Sequence, residues 1–147
     1  SLLTWDLQYL PAPVKISNGV TVHDPLRDVV DQATSLIRLT HNMAAVHRDV
    51  GASPYPQRLV YGGHTVALAQ ASLSRLFPEI ASIVGWQTCD HTGPVFEGDL
   101  LSFQHTPIRE TCFGTGRLVA FQVKVLAHRD GTEPVEVLDW VPVIFMR

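Results

Sequence analysis

The hydrophobic residues of this chain change their spacing after Pro78, and this change limits the folds that are open to it. Residues 63–77 carry leucines and small side chains at a helical spacing, and Pro78 ends that pattern. The small side chains would share one face and let a helix approach a sheet closely: Ala67, Ala71 and Ser74. Beyond the proline the spacing becomes two, which is typical of strands. The pattern predicts one buried central helix followed by a sheet.

Four strands are expected after the helix. The last two strands show the alternation most clearly, and each is expected to place four apolar residues on a common face: Val119, Phe121, Val123 and Val125, and then Val135, Val137, Val141 and Val143. Three turn sequences separate the strands: Gly93-Pro94 with Glu97-Gly98-Asp99, Gly114-Thr-Gly116, and Asp130-Gly131. We therefore expect antiparallel hairpins between neighbouring strands. Strands of roughly ten residues curve, so the prediction is an α+β fold with a curved antiparallel sheet around one helix.

The first half of the chain predicts a second helix and a loop. Asp24-Pro25 is typical of a helix start, with Asp24 as the N-cap and the proline at the first helical position. An apolar stripe then continues at helical spacing as far as Ile37, and this helix would present Asn42 at its end. Residues 51–58 contain two prolines, which predicts a loop that flanks a pocket.

Length and composition limit the partners of the chain. Its 147 residues predict a single domain over 1–147. Hydrophobic residues make up 46% and charged residues 17%, below the roughly 25% usual for globular domains, so we expect an apolar surface that another subunit covers. A net charge of -3 without a cluster of Lys or Arg argues against nucleic acid and membrane partners. No segment has bilayer length or a signal-peptide pattern, so a cytoplasmic location is expected. Cys89 and Cys112 match no metal or disulfide pattern and are expected to be core thiols.

One stretch of the chain carries residues suited to chemistry. It reads Asn42-Met-Ala-Ala-Val-His47-Arg-Asp49, and Leu59-Val-Tyr-Gly-Gly-His64 follows at the start of the central helix. Histidine changes protonation near neutral pH and can act as a base, whereas an amide cannot titrate and can only hold water. Glycine N–H groups at a helix start can bind a developing oxyanion. The combination suits the addition or removal of water at an activated acyl group, with His47 as general acid/base, Asn42 as water holder and Gly62 as oxyanion donor.

These residues resemble the signature of the MaoC-like dehydratases, which include the (R)-specific enoyl-CoA hydratases. That family shows Asp, four residues, His, one residue and Asp, followed by His-Gly before the central helix. Here Asn42 replaces the first Asp, His47 and Asp49 match, and Tyr61-Gly62 replaces His-Gly. The stretch Arg58–His64 together with His91–Asp99 is similar to the C-terminal half of the double-hot-dog mesaconyl-CoA hydratases. The resemblance covers about residues 25–105.

The resemblance implies a hot-dog fold and a hydro-lyase of fatty-acid metabolism that acts on an acyl-CoA substrate. It implies catalytic roles for Asn42, His47 and Gly62. It also implies substrate contacts at five further positions: Asp49, Tyr61, Gly63, His64 and His91. Neither a metal nor another cofactor is expected. The expected assembly is a homodimer, a higher homo-oligomer, or a pairing with a second hot-dog domain.

Structural interpretations of the same residues remain open. His47 can be a histidine satisfied by a nearby carboxylate, Asn42 can be a helix C-cap, and the two glycines can serve close contact between helix and sheet. The other two histidines can be structural as well, on a helix or interface face and at a strand end: His64 and His91.

Two other functions are also open. Because the family's Asp is replaced by Asn42, the chain can be a non-catalytic hot-dog domain that completes a partner's acyl-CoA site. A thioesterase is a third interpretation. Such enzymes generally use an acidic residue on the central helix, and residues 63–76 contain none.

Overall fold

A computed structural model describes all 147 residues. Its two α-helices and six strands are α1 Ala33–Leu39, α2 Gly62–Leu76, β1 Val22–His23, β2 Asp28–Val29, β3 Ile80–Asp90, β4 Leu100–Phe113, β5 Gly116–His128 and β6 Val135–Met146. Three short 3-10 turns lie at Leu2–Thr4, Ala45–His47 and Val50–Ala52. The strands form one sheet in the order β1-β4-β5-β6-β3, and β2 also pairs with β4. Every pairing is antiparallel, and α2 packs on β4, β5 and β6. This is the predicted curved sheet around a helix, in the hot-dog arrangement.

Two of the three predicted hairpins are confirmed. β4 and β5 are joined at Gly114, β5 and β6 are joined through Gly131, and both glycines have a positive φ. The hairpin predicted at Gly93–Asp99 is wrong, because β3 pairs with β6 at the far end of the sheet and not with β4. The connecting segment pairs instead with the chain just before α2, where the Val60 amide donates to the Val95 carbonyl at 2.9 Å. A turn-rich sequence here marks a crossing between the two ends of the sheet.

Helix α2 lies where the sequence predicts it, but its buried face differs. The predicted packing face of Ala67, Ala71 and Ser74 is exposed. The side chains that are buried instead include two with hydroxyl groups: His64, Thr65, Val66, Ala69, Ser72 and Leu73. Small and apolar residues occur on both faces of this helix, so their spacing does not distinguish the faces. Ser72 can be buried because its hydroxyl has buried hydrogen-bond partners in Asp24 and His105.

The core side of the sheet follows the predicted alternation in β5 and departs from it in β6. The four β5 residues from Val119 to Val125 are fully buried, as expected. In β6 two consecutive residues, Val137 and Leu138, are both buried, because an extra residue there shifts the register against β5. The bulge reverses the side-chain alternation, so Val141 and Val143 lie on the opposite face from Val137 and are only half-buried. The common face predicted for these valines and the exposed Val135 is therefore wrong.

The helix predicted to begin at Asp24 is also wrong. Residues 22–29 contribute β1 and β2 against β4, and α1 begins only at Ala33. The Asp24 carboxylate does accept the Leu26 amide at 2.9 Å, but it is buried and also accepts from Ser72 and Arg75. Ser72 and Arg75 are distant in the sequence and hold the segment in an extended conformation. The capping preference of Asp-Pro depends on neighbouring residues alone and cannot predict these contacts.

The remaining expectations on the fold have mixed outcomes. The loop over 51–58 is confirmed apart from the 3-10 turn at its start. Both cysteines are free thiols, as expected, but Cys112 is exposed and Cys89 is half-buried, so Cys112 is not a core residue. Neither helix has the length and hydropathy that crossing a bilayer requires.

Candidate active site

His47 is fixed by a backbone carbonyl that sets its tautomer. The residue ends the 3-10 turn Ala45–His47, and its Nδ1 lies 2.8 Å from the carbonyl oxygen of Leu59. Because a carbonyl oxygen only accepts hydrogen bonds, Nδ1 carries the proton and donates it. In the neutral ring Nε2 then keeps a lone pair. This arrangement orients the imidazole and leaves its second nitrogen free to take a proton.

Asn42 is held by hydrogen bonds within its own turn. Helix α1 ends with Thr40 as its C-cap, so Asn42 is not the cap of this helix. The backbone N–H of Asn42 donates to the Ile37 carbonyl at 3.0 Å, and the side-chain Oδ1 of Asn42 accepts from the backbone N–H of Ala44 at 2.9 Å. The side-chain oxygen is therefore used locally, which leaves the NH₂ group as the free donor.

A cavity of about 620 Å³ opens at the N-terminus of α2. Three segments of the chain form it: residues 42–66, the later part of β3, and the crossing segment 91–95. Six of the eight residues predicted for the site line it: Asn42, His47, Tyr61, Gly62, Gly63 and His91. Its walls contain no Asp, Glu, Lys or Arg side chain. The cavity thus combines apolar and aromatic walls with a few polar groups, as small-molecule sites commonly do.

Both glycines at the start of α2 are packed against rings. A Cβ added to Gly62 would lie 2.5 Å from Nε2 of His91, and a Cβ added to Gly63 would lie 2.5 Å from the ring of Tyr61. The Tyr61 ring also faces His47, with 5.8 Å between the ring centroids. As first-turn residues of a helix, the two glycines have N–H groups with no acceptor in a preceding turn. The helix start therefore offers donors, close approach and a partial positive charge at one place.

Asp49 and His64 lie outside the cavity walls. The Asp49 carboxylate accepts the Gly51 amide at 2.8 Å and caps the turn Val50–Ala52. His64 is buried within α2, its Nδ1 has no hydrogen-bond partner, and burial lowers its pKa. The structure thus places Asp49 in a local capping role and His64 on the packed side of the helix.

Other residues of the cavity were not found from the sequence. Trp86 and Cys89 come from β3, and Tyr55 comes from the loop before α2. Burial, followed by the charge of Asp90, raises the pKa of the Cys89 thiol. Trp86 and Cys89 precede His91 by five and two positions, but neither belongs to the stretches that resemble the family, so no local pattern selects them.

A second polar cluster lies on the buried side of α2, away from the cavity walls. The Ser72 hydroxyl donates to Asp24 at 2.6 Å and accepts from Nε2 of His105 at 2.8 Å, while Arg75 donates to Asp24 at 2.8 Å. Burial lowers the pKa of His105 to about 4. Burial by itself would raise the pKa of Asp24, but the hydrogen bonds from Ser72, the Leu26 amide and Arg75 lower it overall. The cluster links α2, β4 and the segment before β2.

The sheet, its central helix and the cavity at the helix start define a hot-dog domain. No protein-family model matches the chain. It is 34% identical to a conserved hypothetical protein of Mycobacterium tuberculosis with a double hot-dog fold, at a TM-score of 0.86 over 95% of this chain and 42% of that one. A MaoC domain dehydratase of Chloroflexus aurantiacus shares the fold, with a TM-score of 0.80 and 20% identity over 88% of this chain and 42% of that one.

The mesaconyl-CoA hydratase of Cereibacter sphaeroides is 30% identical over 117 residues, which are 80% of this chain and 32% of that protein. The chain belongs to the MaoC-like hot-dog family. It spans about a third to two-fifths of the length of these relatives.

Proposed function

We propose that this chain is a hydro-lyase that adds water to, or removes it from, the α,β-bond of an acyl-CoA thioester. The observation that carries the proposal is the His47 imidazole. Its Nδ1 is held by the Leu59 carbonyl, and its ring lines a cavity whose floor includes the first turn of α2. The related mesaconyl-CoA hydratase is named for the same class of reaction.

The groups at the cavity correspond to the needs of the reaction. In hydration, Nε2 of His47 accepts a proton from water while the water oxygen bonds to the β-carbon. The NH₂ group of Asn42 holds that water, since the amide oxygen is already bonded to Ala44. The π electrons move toward the thioester carbonyl, whose oxygen gains negative charge. The backbone N–H groups of Gly62 and Gly63 stabilise this charge, and a proton reaches the α-carbon.

The uncharged walls favour an uncharged acyl group. No Lys or Arg side chain lines the cavity to pair with a second carboxylate. A carboxylate placed there without a cation would lose its hydration without compensation. We therefore expect a short unbranched enoyl-CoA such as crotonyl-CoA to be a better substrate than mesaconyl-CoA, whose acyl group ends in a carboxylate.

The test is turnover of both esters by the purified chain, followed by loss of the enoyl-thioester absorbance. His47→Ala is expected to lower kcat by about 100-fold or more, because a positioned general base contributes about that much. His41→Ala is the matched control, since His41 is an exposed neighbour outside the cavity walls. Full hydratase activity in His47→Ala would refute the proposal.

A second candidate is a non-catalytic hot-dog domain that completes a partner's acyl-CoA site. Asn42 at the position of the family's Asp favours it, and so does the free outer edge of β3, where Val84 and Trp86 are exposed. This candidate predicts no turnover by the chain alone and a complex with a second hot-dog domain in light scattering. A monomeric chain that turns over crotonyl-CoA would exclude it. The cytoplasmic location stays a prediction.

A further inference from the structure

Hydration of an enoyl thioester needs a second proton step besides the activation of water. One proton leaves water, and one proton reaches the α-carbon. Asn42 cannot supply it because an amide does not titrate. No carboxylate of this chain lines the cavity. The titratable side chains of its walls are two histidines, two tyrosines and one cysteine: His47, His91, Tyr55, Tyr61 and Cys89.

His91 lies against the start of α2. It directly follows β3, and two backbone hydrogen bonds hold its segment, from Thr92 to Val137 at 3.2 Å and from Val60 to Val95 at 2.9 Å. Its Nε2 and Cε1 both lie 2.5 Å from where a Cβ of Gly62 would be. The edge of the ring that carries Nε2 therefore lies over the first residue of α2, beside the proposed thioester carbonyl and hence beside the α-carbon bonded to it.

The other titratable groups of the cavity suit this step less well. The thiol of Cys89 has a raised pKa because of burial, and the charge of Asp90 raises it further. The Tyr61 ring packs on Gly63 and faces His47, on the side where water is activated. Tyr55 stacks edge-to-face on Phe96, with 5.4 Å between ring centroids.

We propose that His91 is the general acid of this site and forms a two-histidine pair with His47. The inference rests on the proposed function. In hydration, neutral His47 takes the proton of water, the oxygen bonds to the β-carbon, and the C=C π pair forms the enolate. The enolate collapses as the α-carbon takes the proton of Nε2 of protonated His91. His47 ends protonated and His91 neutral, and exchange with solvent restores both. In dehydration the two roles reverse.

The experiment measures kcat and KM for crotonyl-CoA from pH 5 to 9 in the wild type, His91→Gln, His91→Asn and the control His41→Gln. The wild type is expected to show a bell-shaped kcat, because His47 must be neutral and His91 protonated. The titratable groups near His91 are Asp90, which precedes it in the chain, and His47 and Tyr61, which line the same cavity. The His41→Gln control tests for a general effect of removing a histidine, because His41 lies outside the cavity walls. In both His91 variants kcat is expected to be about 100-fold lower, and the decrease of kcat at high pH should disappear. KM should stay within a few-fold of the wild-type value.

Far-ultraviolet circular dichroism of each variant checks the fold, which should persist because His91 is exposed. An unchanged kcat and bell-shaped profile in the His91 variants would overturn this inference and leave the hydratase proposal standing. A raised KM with unchanged kcat, or a lower kcat with the alkaline fall retained, would also overturn it. A wild type with no turnover of either enoyl ester would refute the hydratase proposal itself, and the acid role would fall with it.

Discussion

Replacement of Gly62 would directly displace the ring of His91, the proposed general acid. In Gly62→Ala the new methyl group would meet the His91 ring at 2.5 Å, so the ring must turn away from the helix start. We expect kcat for crotonyl-CoA to fall by about 10-fold or more, since a misplaced catalytic group costs at least that much. The fold should persist because His91 is exposed. The measurement is steady-state kinetics together with thermal unfolding.

Gly85→Ala is the matched control for this change. No atom lies within 4 Å of a Cβ built on Gly85, which lies in β3 outside the cavity walls. An equal loss of kcat in both variants would show that the effect comes from glycine replacement in general and not from the His91 contact.

At the scale of single residues, the sequence was informative where the site is local. His47 and Gly62 come from two nearby motifs whose spacing already suits one chemistry, and the structure brings both to one cavity. His64 belongs to the stretch that resembles the family, yet the turn of the helix places it on the packed side. Trp86 could not be selected, because only the pairing of β3 with β6 brings it to the cavity.

The buried hydrogen bond between Ser72 of α2 and His105 of β4 makes the stability of the chain depend on pH. Burial lowers the pKa of His105 from its ordinary 6.5 to about 4, so the unfolded chain binds this proton more tightly than the folded chain. The free energy of unfolding should therefore be unaffected by this group above about pH 6.5 and fall as pH drops toward 4. A shift of this size corresponds to about 3 kcal/mol at most. Urea unfolding at several pH values measures it.

His105→Gln separates this group from the others. Glutamine keeps an N–H donor for the Ser72 hydroxyl and does not titrate. We expect the variant to lose less stability between pH 6.5 and 4 than the wild type. Some dependence should remain, because the pKa of buried His64 is also lowered. The same dependence on pH in variant and wild type would contradict the assignment to His105.

At the scale of elements, the sequence predicted what local pattern determines. Helix α2 and the strand alternation of β5 follow from spacing alone. Three features depend on contacts that are distant in sequence: the extended conformation around Asp24, the pairing of β3 with β6, and the bulge in β6. Turn-forming residues at Gly93–Asp99 indicate where the chain bends but not which strand it bends toward.

At the scale of the whole molecule, the sheet ends in the long edge strand β3, which can pair with a strand of another molecule. β3 is an edge strand of eleven residues, and its exposed apolar side chains include Val84 at 40% and Trp86 at 56% exposure. Long apolar edges are normally covered in native proteins. We expect a second copy of this chain to pair with β3 in antiparallel fashion around a two-fold axis, and sedimentation should show a dimer.

Val84→Arg tests this expectation because residue 84 lies near the middle of β3 and would meet its own copy across the axis. Two like charges there should shift the sedimentation coefficient toward the monomer. Leu39→Arg is the control, since Leu39 is 78% exposed at the end of α1 and is not part of β3. A Val84→Arg variant that stays dimeric to the same extent would show that the two copies meet elsewhere.

Trp86 can report on binding in the cavity, because it lines the cavity and contacts a second indole. Its ring meets Trp140 edge-to-face, with centroids 5.5 Å apart and planes at 82°. The third tryptophan, Trp5, packs on Phe145 and is not part of the cavity wall. An acyl chain that enters would displace water from one indole of this pair and leave Trp5 unchanged. The chain therefore carries its own optical reporter, and the emission spectrum of unlabelled protein can follow occupancy of the cavity by a saturated, unreactive thioester.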